Sequence, residues 1–516
     1  MVPFLKQHRA TLAILTLATL LRLLLLDIKP PHFDEGVNGW FVDEMVKHGY
    51  FHYDPENYHG PLHFYVLFLF QTLFGRHTWA LRLPVVLVSL ATIWLATRFD
   101  RFLPRRACLL AALAMAISPA EVFYARYAIH EAELAFFLLL TTWGIACLWQ
   151  SGERKGLWAI GLGLAGMLLT KETYVIHIAC FALTGLCLWI WEKIIPPPAP
   201  RPPARQLWNG NDLAAVAGCS LLLVVFFYSG GFLDPSSLKG LYQTYAAWVK
   251  TGTNGNGHEK PCYYWLSLIA KFEWPVAIGL IYGAGWVIVD FFNRVIGNPL
   301  SDPSLGTDRA YRFLAIYGWG ALVAYSLVPY KTPWCIITIA WPFFFLFGQA
   351  VEILRERFGK PLAIALCVPL LGASLGTSIW LNFFRYTDDA IPYVYVQTTK
   401  DLQKFTEPLF KMIELDPANY AMRGHIILGS YYPLPWVLGD FTQLGWYNAD
   451  KMPDDMDADF LLVDADRVQT VEASLKEPYF KEPIRLRSGM EPSQLYLRES
   501  KFRSLYPERT PEFQPK

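Results

Sequence analysis

The sequence is dominated by apolar stretches long enough to cross the roughly 30 Å hydrocarbon core of a bilayer. They lie near residues 10–28, 83–97, 107–123, 132–149, 157–170, 174–192, 212–233, 274–293, 313–329, 334–350 and 361–383, which predicts about eleven spans. In lipid every backbone polar group must be satisfied within the chain, so such a sequence is restricted to a bundle of helices. Composition agrees: 53% of residues are hydrophobic and 17% charged, well below the roughly quarter-charged makeup of a soluble domain.

Lys and Arg number 45 against 44 Asp and Glu, so no global field recruits nucleic acid and every charge argument is local. The first stretch follows Lys6 and Arg9, is interrupted by Arg22 and has no small-residue cleavage site before Pro30-Pro31. It reads as an uncleaved first span rather than a removed signal peptide. The segment Pro61 to Gly75 contains His63 and Gln71, and the positive-inside rule decides its placement. If it lies along the membrane instead of crossing, the loops holding Arg98 to Arg106, Arg154/Lys155, Lys193/Arg201/Arg205, Arg294/Arg309/Arg312 and Arg355/Arg357/Lys360 all share the side of Lys6 and Arg9. The N-terminus is then cytoplasmic. The opposite side receives residues 29–60, Tyr124 to Glu133, Lys171-Glu172, 234–273, Tyr330-Lys331 and the C-terminal tail.

Beyond residue 384 charges become frequent, and short runs such as Gly424 to Leu428 and Phe460 to Val463 read as strands between helices. The expected division is a membrane domain over 1–383, with 29–82 as its first outer loop and juxtamembrane helices, followed by a small extracytoplasmic α/β domain over 384–516. Seven of the 8 Cys lie in apolar runs, giving neither a disulfide framework nor a zinc spacing. Gly161-Leu-Gly163-Leu-Ala-Gly166 matches the dinucleotide fingerprint, but it lies inside a span with no preceding strand and reads as close helix packing. Gly252 to Gly257 lacks the Lys-Ser/Thr of a phosphate loop, and Pro196 to Pro203 reads as a stiff connector.

The informative residues are acidic. Asp34 and Glu35 directly follow the first span, placing a carboxylate near the headgroup plane, although Asp34 would equally serve as a cap for a helix over Gly36 to Lys47. His130-Glu131-Ala132-Glu133 opens the fourth span on the same side, where acids need partners, a wet cavity or a cation. Glu131 and Glu133 share a metal only if the helix start is unwound; otherwise Glu133 caps the helix and Glu131 is solvated. Lys171-Glu172 and Lys331, the latter in the turn Tyr330-Lys331-Thr332-Pro333-Trp334, suit a phosphate partner, or an interfacial belt with a snorkelling Lys. Arg126, His59 and His63 complete the set, and Arg22 and Asp290 are expected to snorkel or pair within the spans.

The order Phe33-Asp34-Glu35, Tyr58-His59-Gly60-Pro61-Leu62, Gly75 to Arg82, then Arg126-Tyr127-Ala128-Ile129-His130-Glu131 resembles the GT-C superfamily of integral-membrane glycosyltransferases. Within it the chain looks most like the dolichyl-phosphate-mannose protein mannosyltransferase and lipid A aminoarabinose transferase group. Lys171-Glu172, Tyr330 to Trp334 and Tyr393-Val394-Tyr395-Val396-Gln397-Thr398 further resemble an uncharacterised, flippase-associated prokaryotic branch of that group, which implies a prokaryotic inner-membrane location.

The resemblance implies inverting transfer of a sugar from a polyprenyl-phosphate carrier to a protein, glycolipid or polysaccharide acceptor. Asp34 falls on the catalytic base and Glu131 on the second acid. Lys331, Lys171, Arg126 and His59 would bind the carrier phosphate, with Glu35, Glu172 and His63 in support. The spacing of Glu131 and Glu133 is similar to that of a pair that binds a divalent cation such as Mg or Mn in related oligosaccharyltransferases; relatives using a monophosphate carrier often do without one. His59 stands where relatives commonly carry Lys. Two rival readings are a lipid-linked-sugar flippase, which would show paired broken helices in internal repeats that are not found here, and a non-catalytic scaffold in a glycan-assembly pathway.

Overall fold

A computed structural model describes residues 2–195, 207–254, 257–296, 307–448 and 451–515. The proline-rich connector and Gly255-Asn256 of the glycine-rich segment lie outside the described residues. The chain groups into two compact units, one formed by Met1–Leu26 with Met45–Arg385 and the other by Asp27–Glu44 with Tyr386–Lys516.

In the first unit every apolar stretch falls on a helix: Val2–Leu23, Thr78–Thr97, Arg105–Ile117 with Pro119–Ala125, Glu131–Ser151, Arg154–Thr170, Tyr174–Ile194, Gly210–Tyr228, Trp274–Val295, Thr307–Leu327, Ile336–Phe358 and Lys360–Ile379. Among the described residues 7 helices are long and apolar enough to cross a membrane, or up to 8 if the bent pair Arg105–Ile117 and Pro119–Ala125 forms one span. Helix Leu62–Phe74 has 13 residues, about 20 Å of rise, too short to cross.

Glycines set the helix spacing. A Cβ on Gly163 would lie 2.2 Å from Thr141 Oγ1, one on Gly166 2.3 Å from the Phe137 ring, and one on Gly161 2.2 Å from Val216 Cγ1. The GxGxxG run is therefore a contact face toward the helices Glu131–Ser151 and Gly210–Tyr228, as close packing of small residues in a bilayer requires.

Buried arginines terminate helices. Arg22 donates to Ser89 Oγ at 2.9 Å and to the carbonyls of Ala116 at 2.9 Å and Met115 at 3.3 Å, capping the helix Arg105–Ile117 where it breaks. The break itself follows from Ser118 and Pro119: Ser118 Oγ accepts from the Glu121 N–H, and the chain turns by 60°. Glu273 supports the new helix start, accepting from Ser118 Oγ at 2.7 Å and from the Ala120 N–H at 2.9 Å. Asp290 pairs with Arg294 at 2.8 Å and Arg312 at 2.9 Å, and Arg294 reaches Asp308 at 2.8 Å, tying Trp274–Val295 to Thr307–Leu327. Of the two intramembrane charges expected to snorkel or pair, Asp290 forms ion pairs, while Arg22 is held by a hydroxyl and by helix-end carbonyls.

The second unit holds a five-stranded sheet of β1 (Arg423–Ile427), β2 (Gln443–Tyr447), β3 (Phe460–Val463), β4 (Tyr479–Ile484) and β5 (Ser493–Arg498), in the order β2-β1-β3-β5-β4. β1 runs parallel to β2 and β3, while β5 is antiparallel to β3 and β4. Alternation along the strands gives two cores. Ile426, Leu462 and Leu495 face one with Phe405 and Leu409 of helix Leu402–Leu415, and Ile427, Leu461, Val463 and Tyr496 face the other with Val471. Helix Phe33–His48 begins in this unit.

Candidate active site

Asp34 lies in the first turn of helix Phe33–His48, but it does not cap that helix. Glu35, fully buried, accepts from the His32 backbone N–H at 2.8 Å, the reach-back half of a capping box. The His32 ring is also buried. Its Nε2 donates to the Tyr395 carbonyl at 2.8 Å while Nδ1 accepts from the Asp34 backbone N–H at 3.1 Å. Both ring nitrogens are thereby committed, and burial holds the imidazole below its ordinary pKa against the opposing pull of Asp34 and Glu35. His32 and Glu35 thus fix the backbone under Asp34. The Asp34 carboxylate itself is about a third exposed, with His32 Nδ1 3.9 Å away.

A second cluster lies in the first unit, where helix Glu131–Ser151 begins. Lys171 pairs with Glu131, both buried. His59 Nδ1 donates to Glu172 Oε2 at 2.9 Å, and His63 Nδ1 to Glu133 Oε1 at 2.9 Å. The His130 ring lies between the two other imidazoles, 4.6 Å from His59 and 4.2 Å from His63. Gly60 makes this possible: a Cβ there would sit 2.2 Å from the Leu169 carbonyl, and the Gly60 N–H donates to Thr170 at 3.1 Å. The loop carrying His59 therefore lies directly against the end of helix Arg154–Thr170.

Burial, the largest single influence, would lower the Lys171 ammonium, but Glu131 together with Cys335 and Glu172 outweighs it and holds Lys171 well above its usual range. Burial alone would raise Glu172, but His59 and Lys171 outweigh it and keep the carboxyl below its usual range. His130 is pushed well below its ordinary value by burial, with His63, His59 and Lys171 acting in the same direction. Three buried polar atoms, His63 Nε2, His130 Nε2 and Glu133 Oε2, have no hydrogen-bond partner among the described residues. Each unmet atom costs about 1–3 kcal/mol, and the concentration of three of them in one cluster makes it the candidate site.

The expected cation pair is not formed. Glu131 is held by Lys171 and Glu133 by His63, and among the described residues no group of three or more His, Cys, Asp or Glu could hold a metal ion. A divalent cation does not fit this arrangement, and no chemical step below passes through one.

Two expected phosphate ligands are committed elsewhere. Arg126, fully buried, donates to the carbonyls of Leu21 at 3.1 Å, Arg22 at 3.2 Å, Leu24 at 2.7 Å and Leu25 at 2.5 Å, with its guanidinium 4.8 Å from the Phe383 ring. Together with Arg82, which donates to Leu26 at 2.8 Å, it satisfies the orphan carbonyls after helix Val2–Leu23. Lys331 Nζ donates to the carbonyls of Val328 and Lys260, the latter at 3.1 Å, pinning residues 258–261 against the Tyr330 turn. Sequence reasoning gave no role to His130, Glu273, Arg82 or Arg487. The adjacency of His130 to Glu131 was a usable signal for the first; the others follow from contacts distant in sequence.

Residues 58–196 match the model of the family described as dolichyl-phosphate-mannose-protein mannosyltransferase, a stretch that contains the whole His59, His63, His130, Glu131, Glu133, Lys171 and Glu172 cluster. ArnT from Cupriavidus metallidurans bound to undecaprenyl phosphate superposes with a TM-score of 0.59 at 15% identity, covering 95% of this chain and 98% of that one. The fold is of the GT-C type. The apo state of the same ArnT gives a TM-score of 0.54 at 14% identity over 94% of this chain and 97% of that one. Arabinofuranosyltransferase AftD from Mycobacteria gives 0.50 at 14% identity, over 95% of this chain and 39% of AftD. No curated protein matches the sequence. The GT-C bundle thus carries the buried imidazole and carboxylate cluster, and the sheet-containing unit carries the Asp34 loop.

Proposed function

We propose that this protein is an inverting glycosyltransferase that moves a sugar from a polyprenyl-phosphate carrier to an acceptor hydroxyl, at the outer face of a prokaryotic inner membrane. The observation that carries the reading is the buried cluster of Lys171, Glu131, His59, Glu172, His63, Glu133 and His130 within the family-matched stretch. The undecaprenyl phosphate held by the ArnT with the same fold supports a lipid-phosphate donor.

In this mechanism Asp34 takes the proton of the acceptor hydroxyl as its oxygen attacks the anomeric carbon. The bond from that carbon to the carrier phosphate breaks, and the carrier leaves as a polyprenyl phosphate. A base needs an accessible ionised carboxylate on a rigid backbone; Asp34 is partly exposed, while His32 and Glu35 hold its peptide group. Lys171 and His59 are the cations assigned to the leaving phosphate, where developing negative charge requires them. Lys171 exchanges one oxyanion partner, Glu131, for another, and His63 Nε2 and His130 Nε2 supply polar atoms for the sugar or the phosphate. Arg126 and Lys331 act one step back, keeping helix ends and turns in place. Protein, glycolipid and polysaccharide acceptors fit equally.

The test is the Asp34→Asn variant in cells lacking the native protein, with mass spectrometry of lipid-linked sugars and glycans. The variant is expected to accumulate the same lipid-linked donor as the deletion while the purified protein binds undecaprenyl phosphate as well as the native chain. Normal glycan formation by Asp34→Asn would refute the mechanism, and unchanged lipid-linked sugar pools in the deletion would refute the activity.

A further inference from the structure

The Asp34 loop belongs to the same compact unit as residues 386–516, although the whole membrane bundle intervenes in sequence. The attachment is specific along the loop. Gln397 Nε2 donates to the Pro30 carbonyl at 2.9 Å, His32 donates to Tyr395, and the Phe33 ring meets Tyr432 edge-on at 5.3 Å. A Cβ on Gly36 would fall 2.3 Å from Pro433 Cα, and one on Gly39 2.3 Å from Trp436 Cδ1, so the helix start lies flush against the segment that follows β1.

Arg487 stands at the centre of this contact. Its guanidinium carbon lies 4.8 Å from the Phe33 ring centroid, and its Nη2 donates to Ser430 Oγ and to the Ser430 carbonyl at 3.4 Å. The residue is 8% exposed, its Nε is buried without a partner among the described residues, and no carboxylate forms an ion pair with it there. Asp34 is the anion whose field acts on it. A clamp that only packed against Phe33 would be served as well by an apolar side chain, since burying an unpaired charge is costly. The retained charge therefore has a use, and the nearby carboxylate identifies it.

We propose that Arg487 is a positioning residue for Asp34: from the far end of the chain it holds Phe33 in place and sets a buried positive charge next to the loop that carries the Asp34 carboxylate. This rests on the reading of Asp34 as the base, but its geometry can be tested without that reading.

The experiment uses the full-length protein. In an Asp34→Cys background, position 34 is labelled with a negatively and a positively charged methanethiosulfonate reagent, and the modified peptide is quantified by mass. Adding Arg487→Gln should lower the ratio of the two rates roughly fivefold, as loss of a nearby cation in a partly screened site predicts, and Arg487→Lys should restore most of it. With Asp34 intact, Arg487→Gln should reduce transfer of the accumulated donor at least tenfold and leave undecaprenyl phosphate binding within twofold. If Arg487→Gln does not fold, Ser430→Ala, which only loosens the guanidinium, should change the labelling ratio in the same direction. An unchanged ratio in either background overturns the proposal, and so does unchanged transfer in Arg487→Gln while Asp34→Asn is inactive. Activity in Asp34→Asn would instead refute the base, leaving the labelling ratio to report on Arg487 alone.

Discussion

Lys171 lays its ammonium against the Glu131 carboxylate in a turn where both side chains are buried, so each is the other's main compensation for lost water. Removing one leaves an uncompensated buried charge, worth about 3–5 kcal/mol. Lys171→Met and Glu131→Leu should each lower the thermal unfolding midpoint sharply, and the double variant should recover most of the loss. Additive losses in the double-mutant cycle would mean that the two residues do not compensate one another.

The same pairing bears on metal dependence. With Glu131 held by Lys171 and one oxygen of Glu133 by His63, the two carboxylates do not converge on a common cation, and no group of three or more potential ligands forms among the described residues. Transfer should persist after exhaustive treatment with EDTA, and added Mg or Mn should not raise it. Loss of activity on chelation, reversed by one of these ions, would contradict the arrangement.

His32 gives the Asp34 loop a pH dependence with a definite sign. Its folded pKa is depressed below the unfolded value of about 6.5, chiefly by burial. Below that value the unfolded chain binds the extra proton more readily, so this contribution to stability is complete above about pH 6.5 and is lost as pH falls toward the folded pKa. Unfolding midpoints measured from pH 7.5 to 5.5 should drop more steeply for the native chain than for His32→Gln, whose amide can still accept from Asp34 and donate to Tyr395. Parallel curves would show that His32 is not the group responsible.

Gly36 is required by a contact rather than by its backbone angles. The Cβ of Gly36→Ala would collide with the Pro433 backbone at 2.3 Å, so the helix start must lift from the segment after β1. Overpacking of this kind costs about 1–3 kcal/mol. Transfer should fall along with stability, because Asp34 rides on the same turn. Proteolysis within 27–44 should quicken in the variant; unaltered cleavage would place the close approach elsewhere.

The helices of the bundle were legible because apolar composition is local, and each apolar stretch falls on a helix, although among the described residues 7, or up to 8, rather than about eleven are long and apolar enough to cross a membrane. The acidic and histidine residues of the cluster were legible as types at helix starts, but their pairing was not. Whether Glu131 meets a metal or Lys171 depends on how helix Arg154–Thr170 ends beside helix Glu131–Ser151, and that depends on Gly60 lying against Leu169. Arg126 shows the opposite error: an arginine beside candidate acids resembled a phosphate ligand, yet its guanidinium is spent on the carbonyls after the first helix.

By itself the sequence determined a multi-pass bundle with a small mixed domain at its end, because hydropathy over about twenty residues and alternation over about five are local properties. Only the tertiary structure decided that Asp27–Glu44 joins Tyr386–Lys516, that the His32 ring is anchored on the Tyr395 carbonyl, and that Arg487 stands over Phe33. These depend on hydrogen bonds and ring contacts between residues hundreds of positions apart, and no local pattern encodes which distant backbone a side chain will meet.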